Sequence, residues 1–587
     1  MSPLSMQLIV AIVVLLCFLV VLKFFTRFDH WRRLNVPYLE PCHFCGHREF
    51  RKWLLRSKPF SECLDTLYKE ARARKLRYCG FFQFGSPLLM IVDPELVERI
   101  LVKDFGHFTN HHDFKHDPNH LMSHQLYSMN DDHWKNLRRQ LSSMFSATRM
   151  KLIANRMNDS KKRMNAYFDK KSKGSGWINV VELSLKMTAD LICETLDFEM
   201  DDFDSFASAQ TSMVIGKITD SLSPSIFSML ASYCFIFFPS VAFNFAVLNK
   251  ADYRDLKALV EEQIQWRKAK GQRAEDLFRF FMELDENNNE TGYAPRRKKE
   301  TGISEEDLLS EGGTHSTEAH KATMPQTKYG EMKLIGQLFW TLMDAIETNS
   351  GPLSFCLHLL SLHPEHQRKI KDELESVQKK HDTDLITDDV LKDLKNLEKF
   401  IKESLRMYPA FIPLTRQCTK DYSIPNSKTI IPKGTVVMIP FYSFHFDPEY
   451  FPEPFEVRPD RFDENLSKLT PFTYLPFGNG PRGCIGARYA MTVMKFSVAS
   501  IISGFEIRPI NGKTNMVPLH PLSPIFIRPK ESIFVRLKKR EDEDKDVQHI
   551  QEFDPPSVGK KPMLLNSVRL PFESHIPSFM TRQAVLR

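Results

Sequence analysis

Apolar residues run without a break from Leu8 to Leu22, and no charged side chain occurs between Met1 and Leu22. Phe24 and Phe25 extend the stretch past Lys23 to about the length that crosses a bilayer. Lys23, Arg27, Arg32 and Arg33 all follow it, and the positive-inside rule places the downstream chain in the cytosol. The stretch lacks the basic start and small-residue cleavage site of a removable signal peptide. The pattern predicts a transmembrane signal-anchor over residues 1–25. A proline-containing linker over 26–41 follows it.

Beyond the linker the pattern is mainly helical. Phe81 to Val92 alternates and predicts a hairpin that starts a small sheet. A basic helix opens at Asp131, and helical spacing continues from Ala154 to about Lys270. An apolar segment from Pro224 to Leu248 interrupts it. Pro224, Tyr233, Pro239 and several serines make a membrane-dipping connection the better reading than a second span. Residues 285–329 are polar and aperiodic, which predicts a flexible surface loop. Glu331 to Leu362 is apolar nearly all round, as in a helix buried through a core. Lys392 to Tyr408 is amphipathic and ends at Pro409, and Ala487 to Ile502 reads as another helix. From Glu541 the chain loses its period, and 541–587 is expected to be a disordered tail.

Composition narrows the class. Of 587 residues, 42% are hydrophobic and 11% aromatic, enough for a sizeable core. The net charge of +7 comes with no nucleic-acid motif, so no nucleic-acid partner is expected. Ten cysteines are scattered without a disulfide-scaffold pattern, which favours a reducing compartment. Cys42, Cys45, His43 and His47 suggest zinc but lack a second ligand pair nearby. Seven histidines between His107 and His133 are interleaved with Asp, Asn and Pro, and most of them read as a solvated loop.

The chemistry concentrates in Phe477-Gly478-Asn479-Gly480-Pro481-Arg482-Gly483-Cys484-Ile485-Gly486. Four glycines, a proline and an asparagine in ten residues make a sharp loop just ahead of a helix. Cys484 therefore stands near a helix N-terminus, where free amides and the helix dipole stabilise a thiolate. Gly483 and Gly486 let the backbone approach a large flat ligand. Arg482 can turn to an anionic group. Those are the needs of a cysteine-ligated haem with an arginine on a propionate.

The loop resembles Phe-x-x-Gly-x-Arg-x-Cys-x-Gly, the haem-binding motif of the cytochrome P-450 family. Other family residues follow in order. The Trp-x-x-x-Arg of Trp134 and Arg138 resembles the helix that holds a haem propionate, and Arg416 matches a further propionate arginine. Glu403 and Arg406 stand three apart on a helix, and the resemblance adds Arg461 to complete a buried network. Glu347 and Thr348 resemble the acid–alcohol pair that relays protons. Asp344 lies where fatty-acid ω-hydroxylases of the family carry a glutamate esterified to the haem, which makes it an acid beside the haem. Ala345 replaces a glycine that normally lets this helix bulge. Pro352, which offers no N–H to the Thr348 carbonyl, is expected to open the helix there instead. His111 falls where relatives carry another arginine.

The resemblance covers roughly Tyr38 to Arg540 and implies a mainly α cytochrome P-450 fold: a large helical domain with a long central helix over haem, plus a small β-rich region. It places a catalytic domain at 42–540. Details such as Val36-Pro37-Tyr38 point to the animal microsomal branch of steroid and drug oxidases and thromboxane synthase. The implied activity is a monooxygenase with haem b, in the endoplasmic reticulum membrane as a single-pass protein. It would insert one atom of O₂ into an apolar steroid, lipid or xenobiotic. Electrons would come from an NADPH–cytochrome P-450 reductase, with cytochrome b5 as a further candidate partner. Lys135, Arg139, Arg488 and Lys495 are expected on the docking face. The alternative is a haem-thiolate isomerase that rearranges a peroxide without O₂ or a reductase.

Overall fold

The computed structural model describes residues 28–42, 46–83, 85–112, 114, 121–174, 176–196, 250–270, 331–463, 469–510, 514–521 and 525–540, with Phe278, Phe281 and Ser523. All of them belong to one compact unit, Met1–Asp546. The expected anchor, the 224–248 connection, the 285–329 loop and the 541–587 tail lie outside the described residues. Among the described residues no helix is long and apolar enough to cross a membrane.

Past two short helices, His30–Arg33 and Arg48–Leu54, come helix α1 (Phe60–Ala73) and the hairpin β1 (Tyr78–Gln83) and β2 (Ser86–Ile91). The basic helix is α2 (Asp131–Ser142), followed by α3 (Ala147–Lys173). A short strand β3 (Trp177–Asn179) then interrupts what the sequence reads as continuous helix, before α4 (Val180–Thr195) and α5 (Lys250–Lys270). The central helix α6 spans Glu331–Leu362, as its apolar pattern requires, and α7 (Pro364–Lys380) and α8 (Lys395–Met407) follow. Strands β4 (Leu414–Gln417) and β5 (Val436–Ile439), helix α9 (Ala487–Ile502), and strands β6 (Phe505–Pro509) and β7 (Phe534–Lys539) complete the unit.

One sheet has the order β1-β2-β5-β4. Its hairpin is antiparallel, β2 runs parallel to β5 with Leu89 opposite Val437, and β4 returns antiparallel with Arg416 opposite Val437. The second sheet, β3-β7-β6, is antiparallel throughout. β3 is thus recruited by tertiary pairing with a strand more than 300 residues later, which no local helical period could reveal.

Helix α6 is the axis of the core. Leu353, Phe355, Cys356, Leu359 and Leu360 are fully buried, and Phe355 stacks on Tyr408 at 4.0 Å. Each such side chain contributes about 1.5–3 kcal/mol through its removal from water. α4 lies along α6, where the Thr188 hydroxyl reaches the Ile346 carbonyl at 3.5 Å. The helix also runs unbroken through Pro352, so it neither ends nor restarts at Asn349–Pro352. Asn349 and Ser354 bond back to the carbonyls of Ala345 and Gly351 at 2.6 Å each, which occupies acceptors on both sides of the proline.

Candidate active site

The cysteine loop is closed by its own backbone. The Cys484 N–H donates to the Phe477 carbonyl at 2.8 Å, and the Gly483 N–H to Gly480 at 2.8 Å. Gly478 and Gly480 have φ of 68° and 70°, a region that glycine enters without strain. Gly480 also has no room for a side chain, since a Cβ there would lie 1.9 Å from the Leu101 carbonyl oxygen. Gly480→Ala is therefore expected to displace the loop, and haem incorporation per folded chain should fall several-fold. Equal haem content in wild type and variant would contradict this.

Cys484 keeps accessible surface although protein crowds round it, as a residue that lines a cavity does. Burial pushes its thiol up. The Gly486 N–H, at the N-cap of α9, bonds to it and pulls the other way, as does the Arg138 charge. The thiolate favoured by the helix N-terminus is thus opposed by desolvation, and a cation at the sulfur would deprotonate it outright.

Basic groups of the expected set surround the loop. Arg138 Nη1 donates to the Gly483 carbonyl at 2.8 Å. The guanidinium of Arg482 lies 4.1 Å from the centre of the buried Trp134 ring. It donates to the carbonyls of Thr109 (2.8 Å), Leu126 (3.3 Å) and Met129 (2.7 Å), so carbonyl oxygens engage it where an anion was expected. Burial beside Arg416 lowers it to about 8. Arg416 is fully buried on β4, and only its Nη1 is engaged: it donates to Thr415 O at 2.8 Å and meets His111 Nδ1 at 3.0 Å. Its Nε and Nη2 have no hydrogen-bond partner.

Behind the loop, Glu403 and Arg406 form a doubly bonded pair at 2.8 and 2.9 Å with both side chains fully buried. Arg461 Nε reaches Glu403 at 3.3 Å, so the expected triad is assembled. His445 joins it to the loop. Arg406 Nη1 donates to the His445 carbonyl at 2.7 Å, and the His445 ring bridges Arg406 O at 2.8 Å and the Leu475 N–H at 3.1 Å. The ring must be neutral to donate at Nδ1 and accept at Nε2, and burial holds it near that state by lowering it to about 3.

The expected acid–alcohol pair is adjacent on α6, and each side chain has a partner of its own. Glu347 is held by Arg528, whose Nε donates to it at 2.8 Å, and the Thr348 hydroxyl bonds to the main-chain carbonyl of Asp344. Adjacent helical residues diverge by about 100° around the axis, so the two side chains leave the helix in different directions. Asp344 stands one turn earlier, on the side of the helix that Glu347 and Thr348 share. Like Cys484, its carboxyl is reachable yet enclosed by protein, and its charge is felt at the Cys484 sulfur. Burial raises it to about 7, and a hydrogen bond from Gln125 opposes the rise.

The cytochrome P450 family signature matches residues 66–537. The chain belongs to the cytochrome P450 family. It is 28% identical to cytochrome P450 9e2 of Blattella germanica over 82% of this chain and 89% of that one. It is also 28% identical to cytochrome P450 3A11 of Mus musculus over 79% and 84%, and 25% identical to probable cytochrome P450 6a14 of Drosophila melanogaster over 87% and 96%. As a cytochrome P450 it is a monooxygenase that binds haem b through a cysteine thiolate. The residues present fit that group: a sulfur in an enclosed cavity, glycines at the loop, and a buried arginine with two unpartnered nitrogens for an anionic edge.

Several parts of this P450 differ from the sequence reading. His111, His112 and His124 are buried rather than solvated, and His111 stacks on Tyr127 at 3.9 Å with its Nδ1 placed either to donate to the Thr415 carbonyl or to accept from Arg416. Those partners are about 300 residues away, so polar spacing alone could not reveal them. Lys495 is buried and bonded to Glu398 at 2.7 Å, which removes it from the expected docking face, whereas Lys135, Arg139 and Arg488 are exposed. The Cys42–His47 pattern lies partly outside the described residues, and no group of metal-ligating side chains is found among those described. Gln125, Arg528 and His445 carried no signal as site residues. For His445 the Phe446-Asp447-Pro448 that follows it was the available hint.

Proposed function

We propose that the chain is a membrane-anchored monooxygenase that inserts one atom of O₂ into an apolar organic substrate with electrons from an NADPH reductase. The observation that carries this reading is Cys484, a cavity-lining sulfur bonded by the N-cap amide of α9, in a chain of this family. Haem b, when bound, supplies O₂ binding and activation and receives the electrons. Cys484 would be its axial ligand, and Phe477, Gly483 and Gly486 shape the loop against its face. Arg416, with His111 and Tyr127 beside it, would meet the propionates, and Arg138, Trp134 and Arg482 brace that edge. Thr348 lies on the substrate side of α6. The anchor over residues 1–25 would hold the protein at the endoplasmic reticulum with this domain in the cytosol. Lys135, Arg139 and Arg488 give the reductase, or cytochrome b5, a basic face.

The test is a screen of steroids, fatty acids and xenobiotics for a haem spin-state change, followed by turnover of a binder under ¹⁸O₂ with NADPH and reductase. One ¹⁸O atom in the product, with NADPH consumed, is the expected result. Product that forms from a peroxide without O₂ or NADPH would establish the isomerase instead.

A further inference from the structure

We propose that Asp344, and not Glu347, is the carboxyl that holds the transferable proton over the substrate side of the haem pocket, while Glu347 serves as a structural counter-ion for Arg528. The proposal rests on the haem-thiolate reading of the cavity and assigns its proton source.

Three observations carry it. First, the Asp344 carboxyl on helix α6 and the Cys484 sulfur on the cysteine loop both keep accessible surface while protein surrounds them, and they are near enough for the Asp344 charge to act on the sulfur. Glu347 is on the same helix but is committed elsewhere. Both Nε and Nη2 of Arg528 donate to its Oε1, and the carboxylate is buried in that pairing. The fork is itself anchored by a close approach of backbones one turn along: at Gly351 a Cβ would lie 3.2 Å from the Ile527 carbonyl oxygen, so the extended segment bearing Arg528 sits directly on the helix.

Second, the hydrogen bonding at Asp344 dictates where its proton points. The Ser128 hydroxyl donates to Gln125 Oε1 at 3.0 Å, which fixes the amide and leaves its N–H₂ for the Asp344 carboxyl. An amide nitrogen donates only. A proton on Asp344 therefore cannot be directed at Gln125, and its O–H is left to point away from the amide, toward the accessible side of the residue. Third, the Thr348 hydroxyl hydrogen is engaged by the Asp344 main-chain carbonyl, so Thr348 offers an oxygen beside Asp344 and not a free proton. Burial brings the carboxyl into the neutral range, where it can both hold and release a proton. Each delivery leaves a carboxylate that regains its proton from solvent.

The test uses the reduced haem protein with CO as the probe, by infrared difference spectroscopy on photolysis. Wild type should show a protonated-carboxyl C=O band that shifts in D₂O. Asp344→Asn should lose it, and Glu347→Gln should keep it. With NADPH and a microsomal reductase, peroxide released per NADPH should rise about tenfold or more in Asp344→Asn and change by less than about twofold in Glu347→Gln. Loss of the band in Glu347→Gln, its absence from wild type, a band insensitive to D₂O (an ester), or unchanged peroxide release in Asp344→Asn would overturn the proposal. Thiolate-type CO absorption, recorded on each sample, reports folding and haem content. Its absence from wild type would refute the haem-thiolate reading itself, and its presence beside any of the overturning results would refute only the assignment to Asp344.

Discussion

Cys484→Ser is expected to abolish the thiolate-specific absorption of the reduced CO complex and to take product formation below detection. The sulfur is a single atom in its role. Among the described cysteines, Cys63, Cys79, Cys193, Cys356 and Cys418 are buried, and burial raises each of their thiols to about 11 or higher. None of them has the two features that Cys484 combines, an enclosed cavity and an amide donor at a helix start. Serine keeps the size, the loop hydrogen bonds and the Gly486 contact, so the fold should persist with its circular dichroism unchanged. A serine variant that retained the thiolate absorption would mean that another cysteine is the ligand.

The second large effect lies behind the loop. Glu403→Gln should destabilise the protein by about 3–5 kcal/mol and sharply lower haem retention. Its carboxylate takes Arg406 Nε and Nη2, Arg461 Nε and the Arg458 N–H, the last at 2.9 Å. An amide keeps one acceptor oxygen and turns an N–H₂ toward the two guanidinium groups, while the fully buried Arg406 loses its counter-charge. The damage should reach the haem, because Arg406 and His445 exchange hydrogen bonds and His445 accepts from Leu475 at the start of the cysteine loop. Urea unfolding of wild type and variant, followed alongside the Soret absorption, measures both effects. A change below about 1 kcal/mol would contradict the network's role.

Legibility in the sequence divides along a physical line. The cysteine loop, α6, α9 and the Glu403–Arg406 pair were readable because their constraints are local: glycines at positive φ, an apolar helix surface, and a three-residue helical spacing. What stayed hidden depends on partners far along the chain. The His111–Tyr127 stack against Arg416, the strand β3, the burial of Lys495 against Glu398 and the Arg528 fork on Glu347 have no signature in any short window. The acid–alcohol motif shows the limit most clearly. Its two residues are present and adjacent, but the partner of Glu347, Arg528, lies 181 residues further along the chain. Pro352 is a local fact of another kind: it removes an N–H, and helix α6 nonetheless continues through it.

The central claim is an iron held by the Cys484 sulfur. X-ray absorption at the iron edge of the purified haem protein tests it most directly. The account predicts one sulfur among the atoms bound to iron in wild type and none in Cys484→Ser. Nitrogen and oxygen ligands alone in wild type, or a sulfur ligand that survives in Cys484→Ser, would contradict it.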